Sequence, residues 1–310
     1  MAAAAIEDRQ GRVLVARRAA GAHQGGLWEF PGGKLKPGET LGQGLARELW
    51  EELGIRVLAS CPLIRIHHDY GDRRVLLDVH RVTAYSGEAE GREGQPIAWL
   101  APETMDPATF PAADRPIITA LRLPALYLIT GADPQDPDAF LRRLSSALAG
   151  GVRLVQLRAH TLAPAAYARL AQAAFGLCQG FGARLILNAD LDLARDLPSH
   201  GLHLTGARLW QLARRPVGET LWCGASCHEA RDLGRAADLG LDYALLAPVQ
   251  PTATHPGAET LGWARFAALV DLATLPVYAL GGLGPGDLDT AIRHGAQGVA
   301  AIRGLWPADL

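Results

Sequence analysis

The sequence has little that would tie it to a nucleic acid, a membrane or a secretory route. Lys and Arg number 30 against 32 Asp and Glu, a formal net charge of −2, so there is no electrostatic case for a nucleic-acid or membrane surface. No apolar run is long enough to span a bilayer. The opening "MAAAAIEDRQGRVLVARR" lacks a charged stretch followed by a long apolar core, which argues against a secretory signal. It reads instead as a short strand, a turn at "EDRQGR" and a second strand. The four cysteines, Cys61, Cys178, Cys223 and Cys227, form no CxxC pair and read as reduced, buried thiols of a cytoplasmic protein. What is present is ordinary globular material, 49% hydrophobic and 20% charged in 310 residues, long for one domain and comfortable for two.

The pattern changes near "ITALRLPALYLIT". Before it, strands and turns surround one strong helix. After it come eight short apolar runs: "LYLIT", "VRLVQLR", "ARLILN", "GLHLT", "WCGASC", "YALLAPV", "VYALGG" and "GVAAIRG". Helical stretches such as "DPDAFLRRLSSALAGG" and "HEARDLGRAADLG" separate them. Continuous β-rich runs with helical connectors indicate parallel strands buried on both sides. Eight such units predict a compact (β/α)8 TIM barrel. The expected architecture is an α+β domain over residues 1–122 and a barrel over 125–310, with the boundary near Leu123–Ala125 and no low-complexity linker.

The helix before the boundary, in "GETLGQGLARELWEELGI", has an N-cap at Thr40 and a C-cap glycine at Gly54. Leu41, Leu45, Leu49 and Leu53 form its apolar stripe. Glu48 and Glu52 fall on or beside that stripe and Glu51 on its flank. An acid run is usually a solvated face, but acids on the core-facing side need a compensating charge. A hard divalent cation is a natural choice. Arg47, four residues before Glu51, can orient a carboxylate through a charge-assisted hydrogen bond.

Gly33, Glu39, Arg47, Glu48, Leu49, Glu51, Glu52, Gly54 and Ile55 fill every defined position of the Nudix box, G-x(5)-E-x(7)-R-E-U-x-E-E-x-G-U. The resemblance implies an α+β Nudix fold with bound Mg²⁺ or Mn²⁺ and hydrolysis of a nucleoside-diphosphate-type linkage. It carries metal-ligand roles to Glu48, Glu51, Glu52 and the Gly33 carbonyl, and an orienting role to Arg47. "RRAAGAHQGGLWEFPGGK" and "REGQPIAWL…FPAADRPIITAL" extend it to the MutT type of 8-oxo-dGTP diphosphatase. By position, Glu93 is then an additional metal-linked acid and base, the alternative being a plain loop carboxylate. Arg18 contacts nucleotide and Phe30 lines the base pocket. Asp72 and Arg73 lie near the ligand, or form a simple turn. One departure is Asp114, where the family has an asparagine that reads the oxidised base. An ionised carboxylate only accepts hydrogen bonds, whereas an amide also donates; in a dry pocket Asp114 would be protonated. A second departure is a first strand with little sequence before it, read as a truncated strand or a start that lies upstream. The implied reaction converts 8-oxo-dGTP to 8-oxo-dGMP and pyrophosphate, with a small-molecule nucleotide as substrate. The rival reading is a sensor that binds nucleotide without hydrolysis.

Residues 125–304 resemble thiamine-phosphate synthase and the thiazole tautomerase through "VQLRAH", "LILNADLDLA", "GLHL", "GASCHEA", "DYALLAPVQPTATH" and "YALGGLGPGDL". The resemblance implies a phosphorylated thiamine precursor as ligand, its phosphate at Gly281, Gly282 and Gly304; tight turns are the alternative reading of these glycines. The synthase pattern is broken. Ala189 and Arg208 stand where metal carboxylates are expected, and His160 and His255 where phosphate-binding lysines are expected. Asp190 replaces a lost carboxylate only through a register shift. His228 matches a catalytic acid/base histidine of the tautomerase, the alternative being a helix cap. Three readings of the barrel remain: a degenerate binding or interaction module, which is favoured, a tautomerase-like enzyme, and a residual synthase.

Overall fold

The computed structural model describes residues 1–21, 23–72, 74–131, 136–252, 257 and 259–307. The chain divides into two compact units, Met1–Arg122 and Leu123–Leu310. Among the described residues the four cysteines are unpaired, and no helix is long and apolar enough to cross a membrane.

In the first unit the strands are β1 (Ala2–Ile6), β2 (Val13–Arg17), β3 (Trp28–Glu29), β4 (Gly32–Gly33), β5 (Arg56–Asp69), β6 (Arg74–Ser86) and β7 (Ile97–Leu100). They form two sheets, ordered β4-β1-β6-β5 and β3-β2-β7. The first strand is formed over five residues and pairs in parallel with β6, from Ala2↔Asp78 to Ile6↔Val82. Its turn to β2 is closed by Asp8, whose Oδ1 accepts from the amides of Gln10 and Arg12, each at 2.9 Å.

The alternation of a strand explains why "AAAAI" is buried throughout. Ala2, Ala4 and Ile6 face a core with Leu45, Leu49, Leu53 and Ile55. Ala3 and Ala5 face a second core with Phe30, Phe110, Ile117 and Ile118. Small side chains let β4 lie close: a Cβ on Gly32 would meet Ala2 O at 2.2 Å. The helix α1 (Leu41–Leu53) starts with a capping box between Thr40 and Gln43 and ends at Gly54 with φ 73°, a left-handed conformation that glycine adopts without Cβ strain. A second helix, α2 (Arg115–Arg122), covers the other core through Ile117 and Ile118.

The second unit contains β8 (Leu126–Ile129), β9 (Leu154–Arg158), β10 (Arg184–Asn188), β11 (Gly201–Leu204), β12 (Trp222–Cys227), β13 (Tyr243–Leu246), β14 (Val277–Leu280) and β15 (Gly298–Ala301). Among the described residues these eight pair in parallel and close into a barrel, with β15 joined to β8 through Val299↔Leu126. Each strand falls within one of the eight apolar runs read from sequence. The barrel centre holds Tyr127, Tyr243 and Tyr278, with the Tyr127 and Tyr243 hydroxyls 3.0 Å apart. Gln156 Nε2 donates to Tyr127 Oη at 3.2 Å, and Asn188 Nδ2 to Gln156 Oε1 at 2.9 Å. This network partners polar groups that would otherwise be costly to bury. The outer core lies between strands and helices, where Leu128, Leu144, Leu157, Leu185 and Phe266 are buried.

Candidate active site

Helix α1 presents its acids because Leu45, Leu49 and Leu53 fix its rotation. Arg47 gathers three of the neighbouring acids. Its Nε donates to Glu39 Oε1 at 2.7 Å and its Nη2 to Glu39 Oε2 at 2.9 Å. Its Nη1 lies 2.9 Å from Glu48 Oε1 and 3.0 Å from Glu51 Oε2. A fourth anchor is the Lys34 carbonyl, at 3.1 Å from Nη2. The paired hydrogen bonds from Arg47, then that from the Lys36 amide, hold Glu39 down at about 2. Those acids in turn raise Arg47 above its ordinary range.

Glu52 stands apart from this arginine. Its Oε2 accepts from the Gly32 amide at 3.2 Å. Burial, with added repulsion from Glu48, Glu93 and Glu29, pushes its acid up to about 7. The β4 turn approaches closely, since a Cβ on Gly33 would lie 2.3 Å from Glu48 Cδ. Glu93 is exposed, but its loop is tied to α1. Gln95 Oε1 accepts from the Glu93 amide at 2.8 Å, and Gln95 Nε2 donates to Glu52 O at 3.1 Å.

Among the described residues no three His, Cys, Asp or Glu side chains are grouped to hold a metal ion. Arg47 draws Glu39, Glu48 and Glu51 to itself, and Glu52 turns to Gly32. The chemistry of the set still fits a hard cation. It is all oxygen, acids outnumber the arginine, and the half-buried Glu52, its acid raised by burial and by neighbouring carboxylates, is strained in its ionised form without a counter-charge.

A cavity of about 720 Å³ brings together Arg18, Phe30, Asp72 and Asp114 with Glu29 and Tyr70. Arg73 lies outside the described residues. Phe30 stacks on Phe110 at 5.7 Å. Asp114 is 7% exposed. Burial first, then the charge of Glu29, pushes it up to about 7, against the opposing Arg18 and a hydrogen bond from the Phe30 backbone. Arg18 pairs with Glu29 and donates from Nε to His23 O at 2.9 Å. Tyr70 Oη accepts from the Ala113 amide at 3.3 Å. Glu29 and Tyr70 were missed in the sequence. The signal available for Glu29 was a carboxylate inside the apolar run "LWEF". Gly32 lines the cavity and also donates to Glu52, so this cavity and the acid cluster share one turn.

In the barrel, Gly281, Gly282 and Gly304 line a second cavity of about 510 Å³. Gly281 and Gly282 have φ 106° and 70°, and a Cβ on Gly282 would meet Pro251 O at 2.5 Å. Turn geometry therefore requires these glycines even before any ligand is considered. His228 follows β12, and its Nδ1 lies 2.7 Å from Ala247 O. That contact requires an N–H on Nδ1 and leaves Nε2 as the acceptor when the ring is neutral. The helix Ala230–Asp238 carries no side-chain cap at Glu229, and the His228 amide is held by Asp232 Oδ2 at 2.9 Å. The imidazole is thus not the cap. His255 lies outside the described residues.

Comparison with known proteins resolves the two units. The family model described as "NUDIX domain" matches residues 2–120, and "Thiamine monophosphate synthase" matches residues 126–305. An 8-oxo-dGTP diphosphatase of Escherichia coli is 36% identical over 117 residues, 38% of this chain and 91% of that protein. Thiamine-phosphate synthases of Thioalkalivibrio sulfidiphilus and Marinobacter nauticus are 34% and 36% identical, covering 61% and 60% of this chain and 90% and 86% of theirs. Over its barrel the chain belongs to the thiamine monophosphate synthase family, and its first unit is a MutT-like Nudix domain, a hydrolase of phosphoric anhydrides.

Proposed function

We propose that the Nudix unit hydrolyses 8-oxo-dGTP to 8-oxo-dGMP and pyrophosphate with Mg²⁺ or Mn²⁺. The supporting observation is the shared Gly32 turn, which sets a nucleotide-sized cavity lined by Arg18, Phe30, Asp72 and Asp114 against the α1 acids. Phe30 offers the base an apolar wall and Asp114 a buried hydrogen-bonding edge. Arg18 contributes positive charge on the nucleotide side. Glu48, Glu51, Glu52 and the Gly33 carbonyl would hold the metal, oriented by Arg47. When bound, the metal supplies Lewis-acid neutralisation of the phosphates and an acidified water. The water oxygen adds to phosphorus, the bridging P–O bond breaks, and the proton passes to a carboxylate. Glu93, positioned by Gln95, is our choice for that acceptor.

Turnover by the full chain, measured in parallel as pyrophosphate release from 8-oxo-dGTP and dGTP and as AMP formation from ADP-ribose, tests the assignment. A kcat/KM at least about tenfold higher for 8-oxo-dGTP than for dGTP is expected. Equal values sink the substrate choice, and binding without turnover supports the sensor.

For the barrel we propose a module that binds a phosphorylated thiamine precursor and has lost the synthase reaction. The fixed tautomer of His228 favours one second reading, a thiazole tautomerase-like proton transfer. Isomerisation of a phosphorylated thiazole carboxylate by the full chain, abolished in His228→Gln, would decide for it.

A further inference from the structure

The synthase pattern calls for metal carboxylates at the positions of Ala189 and Arg208, and the fold brings these two together. Arg208 lies on the short helix Gly206–Gln211 that follows β11. Its Nη1 donates to the Ala189 carbonyl, and its Nη2 pairs with Asp190 Oδ1. A guanidinium therefore stands between the two places where carboxylates would gather a divalent cation. The implied metal does not fit these residues. Mg²⁺ demands several oxygens in near-octahedral order. Here the Ala189 carbonyl is already engaged. The neighbouring carboxylate, Asp190, is bound to the arginine and its side chain is 84% exposed. A dication beside a fixed guanidinium would also be repelled.

The strands that lead into this corner also carry buried polar side chains. Asn188 is 5% exposed and His203 1% exposed, on the adjacent strands β10 and β11. Asn188 Oδ1 and His203 Nδ1 have no hydrogen-bond partner in the protein, and unpartnered buried polar atoms are costly. His203 Nε2 lies 2.9 Å from Ser226 Oγ. Burial first, then the charge of His160, pushes its ring down to about 3, so His203 stays neutral and the fixed positive charge comes from arginine.

We propose that Arg208 replaces the divalent cation of the barrel, so that this unit binds the diphosphate group of a small molecule without metal. The proposal rests on the reading that the barrel binds without performing the synthase reaction. Arginine keeps its charge at any physiological pH, and its planar fork matches two phosphate oxygens. It brings one positive charge where the metal brings two, which suits holding a diphosphate better than expelling it.

Calorimetric titration of the full chain with inorganic pyrophosphate in excess EDTA tests this. EDTA disables any metal site on α1, and the comparison with Arg208→Ala separates heat from the barrel from any metal-free binding beside Arg18. One pyrophosphate per chain is expected, weakened at least about tenfold by Arg208→Ala and partly restored by Arg208→Lys. The double variant Ala189→Asp, Arg208→Asp should bind only when Mg²⁺ is added. Absence of binding in EDTA overturns the proposal, as does binding that Arg208→Ala leaves unchanged. If Arg208→Ala fails to fold, the wild-type titration and the double variant still decide. Failure of the underlying reading looks different: condensation of a phosphorylated thiazole with a pyrimidine diphosphate in EDTA would show a catalytic barrel while leaving metal-free binding standing.

Discussion

Replacing Glu52 by glutamine should lower kcat about a thousandfold, the loss expected when several kcal/mol of metal-linked stabilisation disappear, while making the metal-free protein more stable. Both effects come from one burial. Glu52 is half-buried among Glu48, Glu93 and Glu29, and its acid is raised from 4.5 to about 7. The folded chain therefore keeps this proton to a higher pH than the unfolded chain does. Its contribution to stability falls as pH rises from about 4.5 to about 7 and stays lost above that window. Glutamine removes the ionisation but still offers an oxygen to the Gly32 amide. Melting in EDTA should show no difference between variant and wild type near pH 4. By pH 8 the variant should be ahead by about 1–2 kcal/mol, after allowance for solvent screening. Unchanged kcat in saturating Mg²⁺, or a variant no more stable at pH 8, would contradict the role assigned to Glu52.

Asp114 should make the choice of base depend on pH. Below about 7 the buried acid is protonated and offers both an O–H donor and a carbonyl acceptor, much as an amide does. Above that value it only accepts, and it repels an acceptor on the base edge. The ratio of kcat/KM for 8-oxo-dGTP over dGTP should then rise about tenfold from pH 6 to pH 8, because the carboxylate still accepts from the N7–H of the oxidised base but repels the bare N7 acceptor of dGTP, a difference worth roughly one buried hydrogen bond. Using a ratio cancels the titration of Glu52, which both substrates share. Asp114→Asn should hold the ratio flat across the same range. Because Glu29 and Arg18 face the same group, the apparent midpoint belongs to the cluster. A flat ratio in the wild type, or a sloping one in Asp114→Asn, would exclude Asp114 as the reader of the base.

The fold was legible wherever its signals were local. The run "GLHLT" announces β11 by its length and apolar content, and Thr40 and Gly54 mark the ends of α1 because caps are set by neighbouring backbone. The sites were legible only in part, because convergence across the chain leaves no period in the sequence. Glu39 could be placed in the Nudix box by position, but its two-pronged contact with Arg47 comes from the loop before α1 folding back on the helix. Glu29 joins Asp114 although 85 residues separate them in the numbering. Arg208 reads in sequence only as a lost carboxylate. Its return to Ala189 and Asp190 depends on β10 and β11 lying side by side, and that turns an apparent loss of function into a positive charge at a defined place. The central trio Tyr127, Tyr243 and Tyr278 was equally hidden, since each tyrosine belongs to a different strand.

Titration of Mn²⁺ into the full chain, followed by electron paramagnetic resonance, tests most directly whether the acids of α1 form a cation site. The wild-type chain should bind Mn²⁺, and Glu52→Gln and Glu48→Gln should each weaken that binding by about tenfold or more. Equal Mn²⁺ binding by all three proteins would contradict a metal site on this helix.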